Sequence, residues 1–216
     1  MLVDEQENNE RKLSKAEIER TERFAKLSSE LEEQGYRKQN LTVSAAAANI
    51  AGIGLGFLLA LPVIAVYYFM GKWNGYEPPI AALFISIPAF ILGIVVHELL
   101  HGSGWILFTK GKFKSIAFGV VWEALMPYCT CKEALKKGQY IFGLLLPCIV
   151  LGYIPGIISC INGSGVLLGY SVLMIVSAGG DLMVMLLILK SKLKGDVLFV
   201  DHPTEIGLAA FVKENN

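Results

Sequence analysis

Within "FILGIVVHELLHGSGWILF" (90–108), an otherwise almost wholly apolar stretch, stand His97, Glu98 and His101. On a helix, residues four apart lie on one face a turn apart, so the two imidazoles can hold one metal ion while Glu98 sits beside it as a proton acceptor. This H-E-x-x-H spacing is the zinc-peptidase arrangement, two ligands and a general base from one helical turn. A bilayer span disfavours a central acid by about 2.5 to 3.5 kcal/mol, so ionisable groups there are functional by default. The bland alternative is that the three merely pair with one another near the interface.

A catalytic zinc takes three protein ligands and leaves a fourth position for water. Asp181, in "SAGGDLMVML", is the charged residue within the last apolar stretch. His97 and His101 lie 11 and 7 residues before Phe108, and Asp181 lies 9 before Lys190. At about 1.5 Å per residue the three share nearly one depth. Asp181 is therefore expected as third ligand, with Ser177, Ala178, Gly179 and Gly180 letting its backbone approach the histidine helix. Glu123 and Glu133 in the preceding loop and His202 in the tail compete for that place, needing only a folded-back segment. Glu123 and Pro127 are also the expected substrate contacts. Cys129 and Cys131 lack the second pair that a thiolate zinc site uses, and all four cysteines are expected as free thiols.

The elements that must position these residues are apolar helices. Hydrophobic residues make up 54% of the 216 and the mean hydropathy is +0.52, above the roughly 45 to 50% of soluble domains. Residues 41–70, 79–108, 140–162 and 164–190 each meet the requirement of roughly 20 apolar residues per span. The expected fold is an all-α polytopic membrane protein with four transmembrane helices, the last three forming the core around the metal. Eight Lys and Arg fall in residues 1–40, one (Lys72) between the first two spans, six in 109–139, none between the last two and four from Lys190 onward. The positive-inside rule then puts both termini in the cytoplasm. With a net charge of zero and interleaved signs, no nucleic-acid partner is expected.

Three domains follow: a charged N-terminal part (1–40), the membrane part (41–190) and a cytoplasmic tail (191–216). Ser14 and Glu17 form a capping box for a helix over 14–34, whose Phe24, Leu27 and Leu31 share a face that can lie on the bilayer or dock on a neighbour. "KFKSIAFGVVW" (112–122) and "LMPYCTC" (125–131) read as a small hairpin within the loop 109–139, and "DVLFV" and "IGLAAFV" as tail strands packing on it beneath the site. Pro147 and Pro155 predict that the third span is bent or broken. Gly52 and Gly56 predict close helix packing.

His97, Glu98 and His101 on one helix, one helix between, then an Asp near the end of the next, is similar to the core of the site-2 protease family of intramembrane metalloproteases. More closely, "HELLHG" with "PYCTCKEALKKGQYIFGLLLP" and "DHPTEIG" resembles, over roughly residues 40–208, a bacterial membrane family of unknown function described as zincin peptidases. Site-2 proteases usually carry Asp-Gly, whereas here Gly180 precedes Asp181 and Leu182 follows. The resemblance implies one zinc ion, Glu98 as base, a membrane-anchored polypeptide as substrate and the bacterial cytoplasmic membrane as location. An edge strand at 113–122 is expected to hold the substrate extended by strand addition. Two further classes remain: a non-catalytic protein or adaptor whose zinc is closed by a fourth ligand, such as Glu123 or His202, and an ion carrier using the same groups.

Overall fold

The computed structural model describes residues 14–72, 80–121 and 126–214. Helix α1 (Lys15–Glu33) starts at Ser14, whose hydroxyl accepts from Glu17 N–H while the Glu17 side chain accepts from Ser14 N–H. Strand β1 (Arg37–Val43) follows, then α2 (Ala45–Phe69), α3 (Ile80–Ile106), and a hairpin of β2 (Ile116–Val121) and β3 (Met126–Cys131). The short β4 (Leu135–Lys136) leads into α4 (Lys137–Pro147), a π-helical turn (Cys148–Tyr153) and α5 (Ile154–Asn162). Next come α6 (Gly165–Ser177), α7 (Gly179–Lys190), β5 (Asp196–Asp201) and β6 (Ile206–Lys213).

Three of these elements are long and apolar enough to cross a membrane: Ala46–Phe69, Ser86–Ile106 and Lys137–Asn162. The pair α6–α7, bent by 43°, makes a fourth if counted as one span. The third span carries an irregularity between Pro147 and Pro155, a π turn, and a further bend lies in the last. Pro155 removes an N–H, but the π turn before it keeps the helix running, and Ser171 Oγ–H donates to the Gly152 carbonyl at 2.9 Å.

The first apolar stretch also begins later than its composition suggests. Leu41, Thr42 and Val43 are strand, paired with Leu208, Gly207 and Ile206, and the helix starts only after Ser44 caps it. β1, β6, β5 and β4 form one antiparallel sheet in that order. Its inner residues Phe199, Leu208, Ala209, Ala210 and Phe211 are fully buried, so the tail is part of the core rather than an appendage. Leu31 is buried against Val200 and Phe211, with Phe24 and Leu27 beside it, which docks α1 on the sheet. Trp105, Ile116, Leu135, Tyr140 and Phe199 join the sheet to the helices that carry the site.

Candidate metal centre

His97 and His101 are buried on the inner face of α3, their rings 4.8 Å apart and nearly perpendicular. Asp181, the third residue of α7, meets both. Its Oδ2 is 3.0 Å from His97 Nε2 and its Oδ1 is 3.3 Å from His101 Nε2. Ligand atoms of the three lie within 4.8 Å of one another, a group that could hold a metal ion.

The donor set fits such an ion in a second respect. His101 Nδ1 is 2.9 Å from the Gly143 carbonyl, which can only accept, so Nδ1 carries a proton and Nε2, facing Asp181, is the nitrogen left to a metal ion. The imidazole also stacks on Trp105, with centroids 5.4 Å apart and planes 14° from parallel. Trp105 Nε1–H donates to the Tyr140 carbonyl at 3.1 Å. This geometry requires glycine at 143: a Cβ there would lie 2.1 Å from Trp105 Nε1.

Asp181 owes its place to a different contact. The small residues before it do permit a close approach, but to α2 rather than to the histidine helix. A Cβ on Gly179 would lie 2.0 Å from the Gly52 carbonyl oxygen, and one on Gly56 would lie 2.7 Å from Val176 Cα. The α6–α7 break thus seats on the glycine face of α2 and turns the first residues of α7 toward α3.

Glu98 points beside the ligands into a cavity of about 590 Å³. The backbone N–H of Cys129 on β3 faces its carboxylate. Pro127, expected among substrate contacts, lines the same cavity; Glu123 lies outside the described residues. In β3 the register turns the backbones of Pro127, Cys129 and Cys131 away from β2. Pro127 has no N–H, Cys129 N–H faces Glu98 and Cys131 N–H donates to Asp201, so few N–H groups on that side of β3 are left for an added strand, and β2 lies one strand further from Glu98.

The other competitors have separate roles. Glu133 accepts from Lys110 N–H and Gly111 N–H, both at 2.9 Å, and from the Ser115 hydroxyl, closing the turn after α3. Burial opposes its ionisation, but these donors outweigh burial and hold its carboxyl below the ordinary value. His202 lines the cavity, yet its Nδ1 accepts from Glu205 N–H at 2.9 Å and its ring sits 5.8 Å from Phe24. The cysteines are free, and burial pushes the thiols of the C-x-C pair up, that of Cys131 to about 12, which suits neither as a thiolate ligand.

Sequence reasoning missed Asp201. At the end of β5 it lines the cavity, accepts from Cys131 N–H at 2.8 Å and takes the Tyr140 hydroxyl proton as a hydrogen bond. It thereby ties tail, hairpin and α4 together. Burial raises its carboxyl above the ordinary value although both hydrogen bonds favour the charged form. An Asp beside His in "DHPTE" was its only local signal.

Apolar helices, a sheet at one end and two buried histidines that meet a half-buried Asp181 beside Glu98 make a mostly helical protein with a group that could hold a metal ion. Residues 90–195, which contain all four groups, match the model of a family described as "putative zincin peptidase". The match is narrower than the resemblance read over 40–208, leaving out β1, α2, β5 and β6. Neither a curated protein nor a solved structure matches the chain.

Proposed function

We propose that this chain is a membrane-embedded zinc metalloprotease that hydrolyses peptide bonds of membrane-associated polypeptides near the cytoplasmic face, as site-2 proteases do. The observation that carries the reading is the meeting of Asp181 with His97 and His101 beside Glu98, on the wall of a cavity that also reaches the hairpin and the tail. The outward faces of the long helices support the membrane setting: Phe57, Phe69, Phe84, Ile91, Ile157 and Ile161 are exposed, as side chains in contact with lipid would be.

His97, His101 and Asp181 would hold the ion, with the Gly143 carbonyl fixing the His101 tautomer. Bound there, zinc supplies Lewis acidity, polarising a carbonyl and making a water more acidic. Glu98 takes the water's proton on its carboxylate and returns it to the leaving amine nitrogen. Pro127 and the neighbouring β3 residues form the wall along which an unwound substrate lies. Strand addition at the hairpin would use the free edge of β2, at Phe118 and Val120.

The test separates base from ligands. Purified Glu98→Gln should keep the wild-type zinc content, whereas His97→Ala, His101→Ala and Asp181→Ala should each lose most of it. New protein termini in the membrane fraction of cells expressing the wild type should be missing with Glu98→Gln. Identical termini in both would sink the protease reading, and full zinc in Asp181→Ala would move the third ligand elsewhere. Zinc loss in Glu123→Gln would instead favour a closed, structural site.

A further inference from the structure

We propose that a basic hollow at the C-terminal end of α7 binds the phosphate headgroup of an anionic phospholipid. The hollow, about 560 Å³, lies between β1, β6 and the linker from α7 to β5. Arg37, Lys38, Lys192, Lys194 and Lys213 line it against one acid, Glu214. Two of the cations are engaged: Lys213 Nζ donates to the Gln34 carbonyl at 2.8 Å, and Lys38 Nζ sits 5.5 Å from the centre of the Phe24 ring. Arg37, Lys192 and Lys194 have no acidic partner among the described residues.

The end of a helix explains part of this charge, since cations there complement the helix dipole, as Lys190, Lys192 and Lys194 do. It does not explain Arg37 and Lys213, which two other strands bring to the same place. Nor does it explain the backbone. Lys192 holds a left-handed φ of +49°, which non-glycine residues seldom adopt. Gly195, at φ +90°, presses the linker onto β6 so closely that a Cβ would lie 2.4 Å from the Lys213 carbonyl oxygen. Both positive φ values lie in the linker that sets Lys192 and Lys194 beside β1 and β6.

Position names the ligand. α7 and α2 touch at Gly179 and Gly52 and run in opposite directions, so Lys190 and Ala45 end on the same side. On the membrane reading these ends mark the edge of the hydrocarbon. Lys192 and Lys194 follow within four residues, inside a headgroup layer that adds roughly 5 to 8 Å per leaflet. One guanidinium fork and two ammonium groups without counter-ions match a phosphate, and cytoplasmic leaflets are rich in anionic lipid. β5 and β6 run from this hollow to the metal cavity, at Asp196 and Val212 on one end and at Asp201 and Gly207 on the other. A bound headgroup would therefore anchor the outer end of the sheet that walls the site.

The experiment measures lipid bound per chain for the full-length protein in uncharged detergent, by native mass spectrometry. Phosphatidylglycerol should be retained well above phosphatidylcholine of the same chains. Arg37→Gln/Lys192→Gln/Lys194→Gln should weaken that retention roughly 100-fold, and Lys194→Gln alone several-fold. Lys110→Gln/Lys114→Gln/Lys137→Gln, which removes as much charge elsewhere at the same end, should leave it intact. Equal loss in both triples, or full retention in the first, overturns the site. Displacement of the lipid by excess inorganic phosphate would assign the hollow to a soluble phosphate and overturn the lipid assignment. None of these readouts depends on peptidase activity.

Discussion

Two glycine-lined helix crossings build the centre, and they act differently. Where α3 crosses α4, Gly104 and Gly143 meet, a Cβ on Gly104 falling 2.9 Å from Gly143 Cα, and the freed carbonyl reaches His101. There the glycine serves His101 directly. Where α2 crosses the α6–α7 break, Gly52 and Gly56 lie against Gly179 and Val176, and none of the four touches a ligand. There the glycines set the course of a backbone that delivers Asp181 two residues later. The first crossing tunes a group already placed by H-E-x-x-H spacing, and the second decides whether Asp181 reaches the two histidines at all.

If so, the second crossing is the more fragile. Gly179→Ala sets a methyl against the Gly52 backbone, which cannot rotate away as a side chain could. Overpacking of this kind costs about 1–3 kcal/mol and should swing Asp181 off the histidines, so zinc content and thermal midpoint should fall together. Gly180→Ala, one residue on, has no atom within 4 Å of its new Cβ and should hold stability or raise it by roughly 0.5–1 kcal/mol, since glycine weakens a helix. Equal effects of the two changes would break the comparison.

At the first crossing Gly143→Ala should be milder. The atoms its methyl would meet belong to the Trp105 side chain, which can shift, although not without disturbing the ring stacked on His101. The fold should survive while zinc affinity falls about 10–100-fold, the usual cost of losing a partner that orients a metal-bound histidine. Unchanged affinity would mean that the Gly143 carbonyl does not orient His101.

The same contrast explains what could be read from the sequence. His97, Glu98 and His101 are legible because their spacing is local, and Asp181 because apolar surroundings make a lone carboxylate conspicuous. Hairpin and tail strands were visible from β-branched and aromatic content. β1 was not, because Leu41 to Val43 continue the apolar run of α2 and their partner Ile206–Leu208 lies far along the chain. The π turn between the two prolines was legible because proline announces itself in a sequence, whereas the bend at 179–180 was not, because the glycine pair there breaks the helix only through a neighbour that composition does not name. Asp201 escaped for a similar reason: its meaning comes from Cys131 and Tyr140, on two other elements.

The smallest expected effect concerns the water-facing end of the first crossing, which has a polar pin that the described residues of the second lack. Glu133 clasps the turn after α3 through Lys110 N–H, Gly111 N–H and the Ser115 hydroxyl. Its carboxyl is lower in the folded chain than in the unfolded one. The clasp therefore contributes fully above the ordinary glutamate range, roughly pH 4.3, and fades as pH falls through the lower folded value. Protection of the Lys110 and Gly111 amides, measured against their intrinsic exchange rates, should fall on acidification in that window, and Glu133→Gln should flatten the response while leaving zinc bound at neutral pH. Amides of the α2 crossing should not respond over the same range, because its glycines meet backbone to backbone, with no carboxylate among their nearest contacts. A matching loss of protection there would show that the two crossings open as one unit.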